Sequence, residues 1–386
     1  MNRTWAEINI DALKYNVKNI RKITNPNAKL MAVVKADAYG HGYREYCRAL
    51  LENGVDCFAV AMVAEAKELR RAGFNIPILI LGATLKEEAD DIVRYDIMAN
   101  IYNYEFAKCL SDAAKRQNKT VKIHLKIDTG MSRLGFACGE DNSSVIEEIV
   151  KIARLDNVEI DGIFSHFACA DEKNADYTNL QFSRFMKLVS ELEEIGITIP
   201  CKHIANSAAI MMYPQMHLDM VRAGVILYGY YPSEEVDKSR LLIKPVMTLK
   251  SRITQVKTVP SGMGVSYGKT YITDRQTKIA TLPIGYADGY MRCLSHRAKI
   301  EVGGELCDVI GRICMDQCMI DVTNVNNIDI GDEVIIFGDG QITADDVAGW
   351  MNTINYEVLC LVSKRIPRIY KEKGRETAAL NYLDEI

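Results

Sequence analysis

Ala32-Val33-Val34-Lys35-Ala36-Asp37-Ala38-Tyr39-Gly40-His41-Gly42 joins the end of an apolar run to a loop bearing an amine, a carboxylate, a phenol and an imidazole. The run from Leu30 to Val34 predicts a strand, so reactive side chains gather where that strand leaves its sheet. A lysine closing such a strand must snorkel, meet an anion or serve chemistry. Read alone, Lys35 is more often a solvated structural cation than a catalytic amine or an anion ligand.

Outward from this stretch, strand and helix alternate. Asn9-Ile10-Asp11 caps a helix whose apolar positions Leu13, Val17 and Ile20 recur at helical spacing. Beyond the strand that ends at Lys35, further strands are predicted from Cys57 to Ala61, Pro77 to Leu81, Ile97 to Ile101, Val121 to Ile127, Glu159 to Ser165, Cys201 to Ala205 and Val225 to Tyr228. Helical segments lie between them, several stopped by glycine at Gly54, Gly73 and Gly196. Eight such units over residues 1–240 predict a closed α/β TIM-like (β/α)8 barrel. The alternative, an open doubly wound sheet, is weakened by the absence of GxGxxG after an early strand.

After Pro245 the pattern changes to short β-prone stretches, from Met247 to Val259, Thr277 to Pro283, Ala298 to Leu306, Val309 to Ile313, Met319 to Val322 and Glu333 to Phe337. Residues 241–386 therefore read as a mainly β domain, with a helix only from Thr343 to Met351. The early stretch from Thr4 to Ile8 is also β-prone, and residues 1–9 are candidates to join that later domain.

With 386 residues and 48% apolar content, the chain can bury a large core, and its length suits two domains. Lys and Arg number 47 against 51 Asp and Glu, which gives no reason to expect a nucleic-acid partner. No apolar run reaches membrane-spanning length, and Met1-Asn2-Arg3-Thr4-Trp5-Ala6-Glu7 lacks the apolar segment of a signal peptide, so a cytoplasmic location is expected. The eleven cysteines are scattered singly, as in a reducing compartment where disulfides are not expected. Six histidines and the single pair Cys314 and Cys318 make no zinc pattern, and no metal is expected.

In a barrel, ligand-binding groups gather at the carboxyl ends of the strands. Lys35 ends the first strand, Lys126 and Asp128 the fifth and His166 the sixth; Asn206 and Ser207 follow the seventh, and Arg222, Gly224 and Val225 introduce the eighth. Ser207 at a helix start offers a hydroxyl and free N–H groups, and Gly224 lets backbone approach an anion. The plain reading is an ordinary N-cap and turn. With a lysine across the mouth, a phosphate-bearing aldehyde held at that cradle becomes a candidate, joined to Lys35 as a Schiff base.

The chain resembles the bacterial alanine racemase family. The likeness is carried by Val33-Val34-Lys35-Ala36-Asp37-Ala38-Tyr39-Gly40-His41-Gly42, Lys126-Ile127-Asp128-Thr129-Gly130-Met131-Ser132-Arg133-Leu134-Gly135 and Val265-Ser266-Tyr267-Gly268. It extends to Gly285-Tyr286-Ala287-Asp288-Gly289-Tyr290, Gly311-Arg312-Ile313-Cys314-Met315-Asp316 and Ile354-Asn355-Tyr356-Glu357. The order of these motifs covers essentially the whole chain.

That resemblance implies a fold type III pyridoxal 5'-phosphate enzyme, a homodimer that interconverts L-alanine and D-alanine by a two-base mechanism and supplies D-alanine for peptidoglycan. It implies that Lys35 binds the cofactor and serves the D side, while Tyr267 of the partner subunit serves the L side. Two carriers have a physical rationale, because a single fixed base tends to restore the original configuration. The resemblance assigns Tyr39, Asn206, Ser207, Gly224, Val225 and Tyr356 to the cofactor and its phosphate, and Arg222 to the pyridine nitrogen. His166 is implied to link Tyr267 to Arg222, although a lone histidine after a strand is more often a core or loop residue.

Arg133 matches the carboxylate-binding residue, assisted by the Met315 backbone of the other subunit; Tyr286 and Asp316 match groups ordering the entrance, with a structural role equally open. In many members the lysine matching Lys126 is carbamylated and orients the arginine at the Arg133 position. A serine or broad-specificity racemase is the functional alternative, since rejection of one hydroxyl depends on pocket detail. A pyridoxal-phosphate decarboxylase of basic amino acids and a noncatalytic cofactor-binding protein are the other rivals.

Overall fold

The computed structural model describes residues 2–384. Eight parallel strands, Lys29–Val33, Cys57–Val60, Ile78–Ile80, Ala99–Ile101, Val121–Asp128, Val158–Phe164, Cys201–His203 and Met220–Ala223, form a ring in chain order. Two seams close it. The Met98 amide donates to the Ile78 carbonyl at 2.9 Å and the Ile80 amide to the Met98 carbonyl at 3.0 Å between the third and fourth strands, and the amides of Asp219 and Arg222 donate to the carbonyls of Lys202 and Ala205 at 3.1 and 3.0 Å between the seventh and eighth.

The predicted eighth strand is a correction. Val225–Tyr228 is a turn of 3₁₀ helix, and the strand is the preceding Met220–Ala223. All four side chains of Val225–Tyr228 are fully buried, and a short, wholly apolar run carries no periodicity that separates strand from helix. The true strand was hidden by Arg222, a buried cation at its centre. Lys35 likewise lies beyond its strand, which stops at Val33.

The helices sit where apolar spacing placed them. Ile10–Ile23 is capped by the Asn9 side chain, which accepts from the Ala12 amide at 2.9 Å, and it buries Leu13, Val17 and Ile20 against the barrel. Asn16 on the same helix is fully buried and satisfied, donating to the carbonyls of Leu227 and Lys244 and accepting from the Lys244 amide. This buried amide fixes the segment that leaves the barrel for the second domain.

The second domain is a ten-stranded sheet in the order Gln255–Val259, Thr277–Leu282, Cys318–Asp321, Glu305–Ile310, Lys299–Val302, Glu333–Phe337, Met247–Arg252, Thr4–Asn9, Arg368–Glu372, Arg375–Leu380. The amino-terminal strand thus lies inside this sheet, antiparallel to Met247–Arg252 and parallel to Arg368–Glu372. Two predicted stretches each divide in two: Met247 to Val259 breaks at residues 253–254, and Ala298 to Leu306 turns at Gly303-Gly304, whose φ values of 58° and 87° suit a tight hairpin. The final two strands and the helix Asn355–Leu361 were not anticipated. Among the described residues no helix is long and apolar enough to cross a membrane.

Candidate active site

Lys35 opens a turn of unusual hand. Ala36, Asp37, Ala38 and Tyr39 have φ of 52°, 56°, 52° and 47°, and Gly40 follows at 78°. Left-handed helical backbone costs an L-residue about 1–2 kcal/mol each, so four in succession persist only if the surroundings impose them. The Ala36 amide donates to Glu65 at 2.6 Å, the Tyr43 amide to Asp37 at 3.1 Å, and the Tyr382 hydroxyl to Asp37.

The second domain grips the same turn. Arg368, 1% exposed, donates to the Gly40 carbonyl at 2.9 Å and to the carbonyls of Val362 and Ser363 at 2.7 and 2.6 Å. The Tyr370 hydroxyl lies 3.0 and 3.1 Å from the carbonyls of His41 and Gly42. A Cβ at Gly40 would lie 2.5 Å from the Leu359 carbonyl oxygen, so the turn and the helix Asn355–Leu361 touch backbone to backbone. The Lys35 amine is thereby held partly buried. Its pKa is lowered by that burial and by Arg133, with Glu65 opposing.

Across the mouth, Arg222 is buried in the eighth strand. Its guanidinium donates to the carbonyls of Ser165 and Ile204 at 2.8 and 3.0 Å, and lies 3.0 Å from Nδ1 of both His166 and His203. Burial and then Arg133 lower its pKa to about 9, and His166 is pushed well below its ordinary value by burial and then Arg222. Lys126, 5% exposed, donates to the Ile127 carbonyl at 3.1 Å, and its Nζ lies 5.0 Å from the Phe164 ring centroid. Burial first, then Arg222, bring its pKa down to about 7.

Between these groups is a small cradle. Ser207 Oγ accepts from the Gly224 amide at 2.9 Å. The position a Gly224 Cβ would occupy is 3.3 Å from the Tyr39 hydroxyl and 3.5 Å from Ser207 Oγ, so both hydroxyls face one gap. The Tyr356 ring closes edge-on against Tyr39 at 6.0 Å, and Val225 follows Gly224 at the start of its 3₁₀ turn. Asn206 spends its side-chain oxygen on the Ala209 amide at 3.0 Å and so caps the short helix Ser207–Met212. Arg133 is exposed on the loop that Asp128 ties down through the amides of Gly130 and Ser132 at 2.9 and 3.0 Å.

Tyr267 is elsewhere on the chain. It is 69% exposed on the β domain, in an open hollow with Ser266, Cys314, Met315, Asp316, Gln317 and Met319. Tyr286 lies beside this hollow, its amide donating to the Cys314 carbonyl at 3.1 Å, and Asp316 pairs with Arg365 at 2.8 Å. One chain therefore brings together Lys35, Tyr39, Lys126, Arg133, His166, Ser207, Arg222, Gly224, Val225 and Tyr356, and keeps Tyr267, Tyr286, Met315 and Asp316 as a separate set.

Sequence reasoning missed Arg368, which looked like an ordinary basic residue near the end of the chain. It also missed His124 and His203. The alternation Lys122, His124, Lys126, Asp128 was a usable signal, because every second residue of a barrel strand points inward.

Residues 8–232 match the family model for the alanine racemase N-terminal domain, and residues 246–370 the model for its C-terminal domain. The alanine racemase of Desulforamulus reducens is 49% identical, with 95% of this chain and 98% of the relative covered, and alanine racemase 1 of Clostridium acetobutylicum is 47% identical over 98% of both. Among solved structures, the alanine racemase of Clostridium difficile superposes with a TM-score of 0.96 at 44% identity, covering 99% of each chain. That of Bacillus anthracis with bound L-Ala-P gives 0.94 at 33% identity, covering 100% of this chain and 99% of its own. With both domains matched and the fold shared end to end, the chain belongs to the alanine racemase family of pyridoxal-phosphate-dependent isomerases.

Proposed function

We propose that this chain interconverts L-alanine and D-alanine in composite sites of a homodimer, Lys35 and Tyr267 of the partner subunit carrying protons on opposite faces of the α-carbon. The observation that carries this reading is the division of one chain into two half-sites: a lysine-bearing barrel mouth, and an exposed Tyr267 beside Met315 on the β domain. Tyr267, Met315 and Tyr286 are 69%, 53% and 39% exposed, an apolar cluster that a second copy would cover. A single chain with both half-sites completes two sites when two copies meet head to tail.

The mouth suits pyridoxal phosphate. Hydroxyls of Tyr39 and Ser207 face the gap at Gly224, whose amide meets Ser207 Oγ and whose chain neighbour is Val225, while the Lys35 amine is less readily protonated than a free lysine. When bound, the cofactor supplies the conjugated system that makes an amino-acid α-proton removable. In this reading Lys35 anchors it, Tyr39, Ser207, Gly224, Val225 and Tyr356 take the phosphate, and Asn206 holds the helix that carries Ser207. Arg222 faces the ring nitrogen with donors only, so it orients the ring without giving up a proton.

Arg133 offers a planar fork to the substrate carboxylate, with the Met315 backbone of the partner subunit assisting. His166 passes its second ring nitrogen to the partner's Tyr267, and Tyr286 and Asp316 order the entrance. The relatives are named for alanine, which favours it over serine. D-alanine made in the cytoplasm then serves peptidoglycan synthesis.

Conversion of L-alanine to D-alanine by the purified protein, read on a chiral column, tests the reaction. Mixing a Lys35→Ala chain with a Tyr267→Phe chain tests the shared site: one of the two sites in each mixed dimer keeps both proton carriers, so activity returns when two inactive proteins are combined. Verified mixed dimers that stay inactive reject the arrangement.

A further inference from the structure

Arg222 is tied to the far end of the barrel as well as to its mouth. Its guanidinium lies 3.0 Å from Nδ1 of His203, whose Nε2 lies 2.9 Å from Nδ1 of His124, whose own Nε2 is 3.6 Å from the Asp161 carboxylate. A guanidinium has donors only, and this fixes every proton along the line. Nδ1 of His203 accepts, so its proton is on Nε2 and goes to Nδ1 of His124. The His124 proton is then on Nε2, facing the carboxylate. Two neutral imidazoles connect the buried cation to an anion at the amino-terminal floor of the barrel.

The floor is shaped for this contact. His124 pairs with Gly162 while Ile123 pairs with Ile160, so Asp161 is the extra residue of a β-bulge, a device that re-aims a side chain. Gly162 leaves room for the ring: a Cβ there would be 2.4 Å from Nδ1 of His124. His203 lies flat on Phe164, centroids 4.9 Å apart and planes 6° apart. Asp161 pairs with Lys122 at 2.8 Å and borders a cavity of about 440 Å³ together with Lys29 and His124.

Among the described residues no acidic side chain pairs with Arg222 directly; the hydrogen-bonded line ends at His124, and Asp161 is the anion that faces its last ring nitrogen across 3.6 Å. A carboxylate there draws the His124 proton outward and makes its Nδ1 a better acceptor, and the gain passes through His203 to the guanidinium. We propose that His203, His124 and Asp161 are positioning residues for the racemase reaction, a relay through the barrel that orients Arg222 and sets how strongly it donates at the mouth.

The proposal rests on the racemase reading, which the wild-type chiral assay tests on its own. Holoenzyme labelled with ¹⁵N-histidine contains six histidines, and single substitutions assign their ring signals. At neutral pH, His203 and His124 give neutral Nε2–H signals. In Asp161→Asn both sets of ring signals move, and kcat falls about tenfold with KM for alanine held within about twofold, the scale of loss known for outer partners of ligating histidines. Lys122→Gln, which removes the other partner of Asp161, leaves kcat within about twofold, as for an exposed ion pair. Asp161→Glu recovers most of the loss. An Nδ1–H tautomer or a protonated ring at either histidine overturns the relay. So does an Asp161→Asn enzyme whose ring signals stay in place, or whose kcat matches that of Lys122→Gln.

Discussion

Lys126 holds an amine in a setting that disfavours its ammonium form, with Phe164 beneath it and Arg222 and Arg133 as like charges nearby. A pKa brought down to about 7 leaves a large neutral fraction at physiological pH, and a neutral amine is the form that attacks carbon dioxide. Conversion to a carbamate replaces an unfavourable cation by an anion between two arginines. Protein equilibrated with ¹³C-bicarbonate is expected to give a carbamate carbon signal that Lys126→Ala removes; a spectrum without that signal rejects the modification. At this scale the sequence was informative where chemistry is local. Lys35, Arg133 and Tyr39 stand in motifs that announce themselves, whereas His124 and His203 acquire meaning only when strands five and seven are side by side.

The left-handed turn after Lys35 is the element on which the mouth depends. Its strain is offset by contacts from three directions: Glu65 from the barrel, Arg368 and Tyr370 from the last part of the sheet, and Leu359 pressed against Gly40. Gly40→Ala is expected to destabilise the protein by about 2–5 kcal/mol, combining a left-handed penalty of about 1–2 kcal/mol with overpacking of about 1–3 kcal/mol. Denaturant unfolding and the visible absorbance of bound cofactor should both respond; an unchanged midpoint rejects the idea that this contact is tight. Glycines at residues 40 and 42 hinted at unusual backbone, but four left-handed non-glycine residues have no local signature, because much of what holds their conformation, Leu359, Arg368, Tyr370 and Tyr382, lies more than 300 positions away. The eighth strand was misplaced for a related reason: neighbours, and not periodicity, decide the state of a fully buried apolar run.

At the scale of the whole molecule, the barrel hides titratable rings in its interior. Burial lowers the pKa of His41 to about 3 and also lowers those of His124, His166 and His203. A base whose folded pKa lies below its ordinary 6.5 binds its proton more readily when unfolded. Stability is therefore full above pH 6.5 and falls as pH drops toward the folded values, by up to about 1.4 kcal/mol per pH unit for each ring. Unfolding free energy measured at fixed protein concentration should drop by about 3 kcal/mol or more between pH 6.5 and 5.5, with all four rings contributing. A flat profile over that interval would contradict the burial of these histidines. The broad architecture was legible, since alternation followed by β-prone stretches describes a barrel and a sheet. The return of the amino-terminal strand into the later sheet was only a candidate, because register across 240 residues is written in no single segment.

The strand Thr4–Asn9 lies between partners that begin at Met247 and Arg368. A chain leaving the ribosome at about 5–20 residues per second must hold its first strand unpaired on one edge for roughly 20–70 s before the second partner is made. Arg368 and Tyr370, which clamp the lysine turn, arrive in that same closing segment. The newborn protein thus lacks part of the clamp on its lysine turn until translation is nearly finished, and a product stopped short of residue 368 keeps its reactive amine with the Glu65 and Leu359 contacts but without Arg368 and Tyr370.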